Sequence, residues 1–386
     1  MDWRADLDFE HSRVAAEMAR RGTLSDPSRA GNWLTLHRAL RHLGDSDGAT
    51  ESLREAVIAV PKSVELRLRL VGNLIAAESW EEALPHAEAA LELAPGNPAA
   101  TNLFLELLAM MGMRERIDME AAAALAGENT RLLLLYANSI GPEATVRFCG
   151  SLLAEKPSRA GPRYAKAVAL VKLGRIEEAR ALMSMAGRVE TVQLNTPAAY
   201  PDDEAFRGEL AREIRSNPTL RRDPQSKTTR DGLQTQVLRR PEAVAVEALV
   251  GQIKEAVDAY EARLEAAGDA FARTRPKRTR LNTWAVIYGG GGKQKPHMHP
   301  NGWITGVYYV SAPRRPGENA YRGPLVLGAD NPIKDFGAAP WSTQEIEPIP
   351  GRLVMFPSHV PHATIPPGGD DGERICVTFD VVDAAA

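Results

Sequence analysis

The chain is predicted to be an α+β protein of two domains, an α-helical solenoid followed by a double-stranded β-helix (jelly roll) with flanking helices. Three observations carry this. A helical pattern recurs in the first half with a period of about 34 residues, that of a helix-pair repeat. Short apolar runs bounded by Gly and Pro, of the kind that form strands, fill the last quarter of the chain. Between them lies a polar, proline-bearing break, "QLNTPAAYPDD" (193–203). The expected domains are 1–187 and 188–386, the second with a helical lead-in over 203–270 and a β core over 281–382.

A length of 386 residues suits about two domains. With 44% hydrophobic and 25% charged residues and a formal net charge of -3, the composition is that of an ordinary globular protein, and the bulk charge favours neither nucleic acid nor a membrane surface as partner. The stretch from Met1 to Gly22 is charged throughout and lacks the apolar core of a signal peptide, and no apolar run is long enough to span a bilayer. The expectation is a cytoplasmic protein with no membrane association. Only Cys149 and Cys376 are present, one in each expected domain, which gives no disulfide framework and suits a reducing compartment.

In the first domain Trp33, Ala49, Ala56 and Pro61 form one set, and Ala83, Ala90 and Pro95 repeat the last three one period later. Small residues at the paired alanine positions let antiparallel helices approach closely, and the proline closes the second helix. A third unit from about Pro98 is degenerate, and the stretch 152–186 restores the register with Pro157, Gly174 and Ala179 in the closing, turn and packing positions. The pattern resembles the tetratricopeptide repeat. The resemblance implies a concave face that binds an extended peptide or a partner protein, with a spacer or self-association role equally open. His37, His42 and His86 fall within these helices and are read as packing or solvated residues.

In the second domain "DEAFRGELAREIRSN" (203–217) is expected to be helical, and the stretch 218–240 polar and irregular. Val246, Leu249, Val250, Ile253, Val257, Tyr260 and Leu264 fall at helical spacing and should pack on the β core from outside. The basic run "RTRPKRTR" (273–280) has no interleaved aromatics, so it reads as a solvated loop that steers acidic substrates at most; nucleic acid is not expected as a partner. Gly289–Lys293 lacks the spacing of a phosphate-binding loop and leads into strands, which points to a flexible hairpin turn.

Four of the eight histidines lie in two short stretches of the β core, "KPHMHPNGWITGVYYV" (295–310) and "FPSHVPHATIPP" (356–367). Strand alternation puts His297 and His299 on one face. A local pair plus a distant histidine, His359 or His362, is an economical three-ligand metal site, since imidazole suits Fe, Zn, Cu and Ni. Arg374 then opens the strand-like run "RICVTFDVV".

The ordered set "NTWAVIY" (282–288), the histidine-pair stretch, "GPLVLG" (323–328), "PGRLVMFPSHVPHATIPP" (350–367) and "RICVTFD" (374–380) resembles the bacterial and phage group of Fe(II)- and 2-oxoglutarate-dependent oxygenases. The resemblance implies Fe(II), with 2-oxoglutarate and O2 as cosubstrates. It also implies a hydroxylase that acts on a protein or peptide delivered by the helical repeats. In the common form of that superfamily the ligands are His, Asp one residue on, and a distal His. Here His299 stands where Asp is usual, so the implied set is His297, His299 and His362, or His362 with only one of the pair. Arg374 would hold the far carboxylate of 2-oxoglutarate, helped by Tyr309 or Tyr308, of which alternation allows only one inward. His359 is expected near the mouth of the pocket. Cys376, where many relatives carry serine, either lines the pocket or is a small core residue. The alternatives are a three-histidine cupin-type dioxygenase without 2-oxoglutarate, and a repeat adaptor whose barrel is not catalytic.

Overall fold

A computed structural model describes residues 9–43, 45–126, 132–134, 137, 140–222, 228–314, 317, 319–329, 338–368 and 372–384. The chain divides into two compact units, the first ending at residue 139 and the second beginning at residue 140.

In the first unit, three helices start where a short polar side chain caps free backbone N–H groups. Asp45 accepts from Gly48 N ahead of α3 (Ser46–Ala59), Ser63 from Leu66 N ahead of α4 (Val64–Ala76), and Asn97 from Ala99 N and Ala100 N ahead of α6 (Pro98–Met110). With α1 (Phe9–Ser25), α2 (Ala30–His42) and α5 (Trp80–Leu93), these are helical hairpins of one period. Helices α2, α4 and α6 begin at 30, 64 and 98, and α3 and α5 at 46 and 80. Ala49, Ala56, Ala83 and Ala90 are fully buried, as the close approach of paired helices requires. The degenerate third unit keeps its first helix, α6; a 3-10 turn and the short α7 (Met119–Ala126) stand in place of a full second helix. His37 is buried beside the Ala49 carbonyl and His86 lies against Arg67; the side chain of His42 is outside the described residues.

The second unit opens with α8 (Pro142–Glu155), α9 (Ala160–Lys172) and α10 (Ile176–Leu182), continues through α11 (Asp203–Arg215) and α12 (Val244–Ala266), and is built on two antiparallel sheets. The larger runs β1-β8-β5-β10-β4-β3-β2 and the smaller β7-β6-β9. Their strands are β1 (Glu190–Gln193), β2 (Leu220–Arg222), β3 (Thr229–Thr235), β4 (Thr279–Gln294), β5 (Gly302–Ser311), β6 (Leu325–Leu327), β7 (Gln344–Ile346), β8 (Arg352–Pro357), β9 (His362–Thr364) and β10 (Arg374–Asp383). One face of the larger sheet, with Ala285, Ile287, Tyr308, Met355, Val377 and Phe379, is covered by α11 and by the apolar stripe of α12 that the sequence spacing predicted. The other face, with Val286, Tyr288, Tyr309, Val354, Phe356 and Cys376, packs on Leu325, Leu327 and Ile346 of the smaller sheet. Among the described residues no helix is long and apolar enough to cross a membrane.

Three expectations are corrected. Strands begin before Leu281, because β1 pairs with β8 from Glu190↔Met355 to Gln193↔Arg352. The stretch 218–240, expected to be irregular, contains β2 and β3. What β3 buries is polar, Thr229, Gln234 and Thr235, and these are satisfied by hydrogen bonds, Thr229 Oγ1 to Gln234 Oε1 at 2.9 Å and Ala285 N to Thr235 Oγ1 at 2.9 Å, so hydropathy carries no signal there. The glycine run 289–292 is not a hairpin turn but lies inside β4, where pairing with β3 jumps from Gly232↔Tyr288 to Arg230↔Lys293. The extra residues form a bulge. A Cβ on Gly292 would stand 2.8 Å from the Asp231 carbonyl oxygen, which is why the bulged strand needs glycine.

The repeat pattern of the helices runs to Leu182, yet α8–α10 belong to the compact unit of the sheets. Tyr164, Ala167, Val168 and Met183 form one cluster with Trp341, against which Met298 and Ala339 pack. Gly161 N donates to Pro300 O at 3.2 Å and Arg180 Nε to Pro340 O at 2.9 Å. The expected division at 187/188 follows the sequence register; compactness divides the chain at 139/140.

Candidate metal centre

The histidine pair sits in the connection from β4 to β5, not within a strand. Reciprocal backbone bonds hold it, His297 N to His362 O at 3.0 Å and His362 N to His297 O at 2.8 Å, with His299 N to Ser358 O at 3.1 Å. This bridge draws β9 against the connection, and Met298 turns to the opposite side, into the Tyr164 cluster. His297 and His299 therefore share a face as alternation predicted. Ring centroids of His297, His299 and His362 lie 4.3–5.1 Å apart, and one nitrogen from each falls within 4.8 Å of the others.

Each ring has its Nδ1 occupied. His297 Nδ1 donates to Lys295 O at 2.7 Å, His362 Nδ1 to Val360 O at 3.1 Å, and His299 Nδ1 to Asp380 Oδ1 at 2.6 Å. These acceptors fix one tautomer and turn the Nε2 lone pairs toward a cation, that of His297 also meeting Thr228 Oγ1 at 3.5 Å. Burial, with His299 close by, lowers the His297 pKa to about 3. Burial, with His297 and His299 beside it, also holds His362 well below the usual imidazole range. Both are neutral at pH 7, the form that binds metal.

Farther along the same face, Arg374 of β10 is almost wholly buried. Its guanidinium carbon stands 4.5 Å over the Tyr288 ring, and its Nη1 donates to Gly323 O. Its Nη2 is buried without a hydrogen-bond partner. A Cβ on Gly323, which has φ +80, would lie 2.7 Å from Nη1, so glycine leaves room for the guanidinium. Tyr288, Tyr309 and Cys376 line this region. Burial raises both phenols above their ordinary range, so they remain protonated, and it raises the Cys376 thiol, which makes it a poor nucleophile.

Two of the residues singled out from sequence lie elsewhere. Tyr308 points to the opposite face of the sheet, into the core shared with α11, because neighbours on β5 alternate. His359 is buried, its Nε2 donating to Leu182 O at 3.1 Å and its ring 5.8 Å from that of Phe271; it does not join the triad or open on a pocket mouth. Conversely, Tyr288, Gly323 and Asp380 were not singled out. The signal for two of them was period-two alternation: Tyr288 follows Trp284 and Val286 on one face of β4, and Asp380 follows Arg374, Cys376 and Thr378 on one face of β10.

The chain is similar at 18% identity to a Pseudomonas putida prolyl-4-hydroxylase, covering 52% of this chain and 95% of that one with a TM-score of 0.37. It is similar at 15% identity to a Trichoplax adhaerens prolyl hydroxylase solved in complex with a hypoxia-inducible-factor peptide fragment, covering 56% and 94% with a TM-score of 0.36. A tetratricopeptide repeat protein from Parabacteroides merdae overlaps at 16% identity, covering 46% and 73% with a TM-score of 0.38. No curated protein matches the chain. Residues 282–380 match the family described as "Putative 2OG-Fe(II) oxygenase". That stretch contains the three histidines and Arg374, and over it the chain resembles that family.

Proposed function

We propose that the protein is an Fe(II)- and 2-oxoglutarate-dependent hydroxylase acting on a protein or peptide. The observation that carries this is the convergence, on one face of the larger sheet, of three imidazoles with a nitrogen of each within 4.8 Å of the others and a buried arginine whose Nη2 has no partner. Neutral imidazoles suit Fe(II), and an unsatisfied buried guanidinium N–H calls for an anionic acceptor such as a carboxylate. His297, His299 and His362 would hold the metal. Arg374 would take the far carboxylate of 2-oxoglutarate, with Tyr309 or Tyr288 as a further donor. Bound there, iron with 2-oxoglutarate and O2 supplies the oxidising power to convert a C–H bond to C–OH while 2-oxoglutarate becomes succinate and CO2.

The residues themselves bind, orient and exclude water. We read the two sheets as a double-stranded β-helix that closes over the site, and the helical repeats as the element that holds a polypeptide substrate. Two buried free thiols, Cys149 and Cys376, fit a reducing, cytoplasmic setting. A cupin-type dioxygenase without 2-oxoglutarate would leave Arg374 Nη2 unexplained.

Anaerobic titration with Fe(II), with and without 2-oxoglutarate, tests this through the visible metal-to-ligand charge-transfer band. The band should appear with the parent and with His359→Ala, and vanish with His362→Ala. A parent that gives no band under saturating iron and 2-oxoglutarate would rule the reading out.

A further inference from the structure

We propose that Asp380 is a positioning residue that supplies, through His299, the negative charge the three-histidine ligand set lacks; the inference rests on the metal centre described above. The triad is not symmetric. His297 and His362 give their Nδ1 protons to backbone carbonyls, whereas His299 gives its own to a carboxylate, at the shortest of the three distances, 2.6 Å. The two side chains are only 12% and 14% exposed, so water screens their attraction little. A charge-assisted bond of this length fixes the ring more firmly than a carbonyl does, and it pushes electron density toward Nε2, which makes His299 the strongest donor of the three.

Asp380 is itself held in place. Thr305 Oγ1 donates to the same Oδ1 at 2.7 Å. That uses the only proton on the Thr305 hydroxyl, so the 2.8 Å contact between Thr305 and Ser358 must be donated by Ser358 Oγ. Thr305 and Ser358 are buried, and a Cβ on Gly302 would fall 2.4 Å from Ser358 Oγ, so glycine keeps the space this relay occupies. The direction Ser358 to Thr305 to Asp380 is thereby set, and every donor in the relay ends on the carboxylate. Where the sequence places His299 at the position of a usual aspartate ligand, the carboxylate has not been lost from the site. It stands one imidazole farther from the metal.

Co(II) binding by the full-length protein tests this without 2-oxoglutarate or turnover, using calorimetry for affinity and the d–d absorption for the ligand field. Asp380→Asn keeps the shape and an acceptor oxygen but removes the charge. It should weaken Co(II) about ten- to a hundredfold and shift the d–d bands. Thr305→Val should act in the same direction but less, and Thr305→Ser should restore the parent value. If the parent binds Co(II) and Asp380→Asn leaves affinity and bands unchanged, Asp380 has no such role and the metal centre stands. A parent that binds no Co(II) would overturn the metal centre and this proposal together.

Discussion

At the scale of single residues, Arg374 has the sharpest consequence. A guanidinium with one nitrogen on Gly323 O and the other buried and unpaired is poised for a second acceptor. Arg374→Ala should leave Co(II) or Fe(II) affinity near the parent's, because the arginine touches none of the three histidines by hydrogen bond. It should weaken 2-oxoglutarate binding by about 2–4 kcal/mol, roughly thirtyfold to a thousandfold. Arg374→Lys should recover little, since a point charge cannot reproduce the fork. An alanine variant that is folded by circular dichroism and binds 2-oxoglutarate as tightly as the parent would make Arg374 structural. The histidines and Arg374 stood out in the sequence because titratable side chains are rare in and between apolar strands. Alternation places Tyr288 and Asp380 on the site's face, but their roles were not legible, for an aromatic on a strand reads as core and an aspartate near a strand end reads as solvated. Only the register of β4 against β10 brings Tyr288 opposite Arg374, and only the fold brings Asp380 to His299.

At the scale of elements, β5 is an inner strand of the larger sheet. It pairs with β8 on one side and β10 on the other and is buried along all but its last residue, so it reads as a largely apolar run broken only by Thr305 and two glycines. Gly306 marks its tightest point. A Cβ there would meet Phe379 Cζ at 2.2 Å and the Val354 carbonyl oxygen at 2.9 Å, and Phe379 is itself fully buried and unable to swing away. Gly306→Ala should therefore destabilise the unit by about 1–3 kcal/mol. In calorimetry that is a fall of roughly 2–4 °C in the midpoint for each kcal/mol. An unchanged midpoint would mean that the β5–β10 packing adjusts freely. Apolar periodicity was enough to place α12, whose stripe packs on the sheet. It failed for β3, where the buried groups are two hydroxyls and an amide, Thr229 bonded to Gln234 and Thr235 to the Ala285 backbone, for β2, which buries no residue fully, and for the glycine bulge of β4, where the determinant is a neighbour's carbonyl and not any property of the glycines' own stretch.

At the scale of the whole molecule, the question is which helices the metal centre needs. The repeat register is continuous enough to suggest that the helical domain ends near 187, and sequence alone offers no reason to split it. The packing does. Helix α9 and the segment after α10 bring Tyr164, Val168 and Met183 against Trp341 and Met298, and Met298 lies between two of the three candidate ligands. The same helices provide Leu182 O to His359 and Gly161 N to Pro300 O, and both contacts fall close in sequence to a candidate ligand, His362 in one case and His299 in the other. Removing the stretch 140–187 would uncover large apolar side chains, each worth on the order of 2 kcal/mol of burial, and would leave the buried His359 without its partner. We therefore expect a chain starting at Ile140 to be soluble and to bind Co(II) as the full-length protein does. One starting at Arg188 should aggregate, or bind at least about tenfold more weakly because the loop that carries His297 and His299 is no longer braced. Calorimetric titration of both chains, beside hydrogen exchange at Met298 and His299, decides the matter. If the shorter chain binds Co(II) with the parent affinity and protects those amides equally, α8–α10 are a neighbour of the site and no part of its support, and the division expected at 187/188 is the correct one.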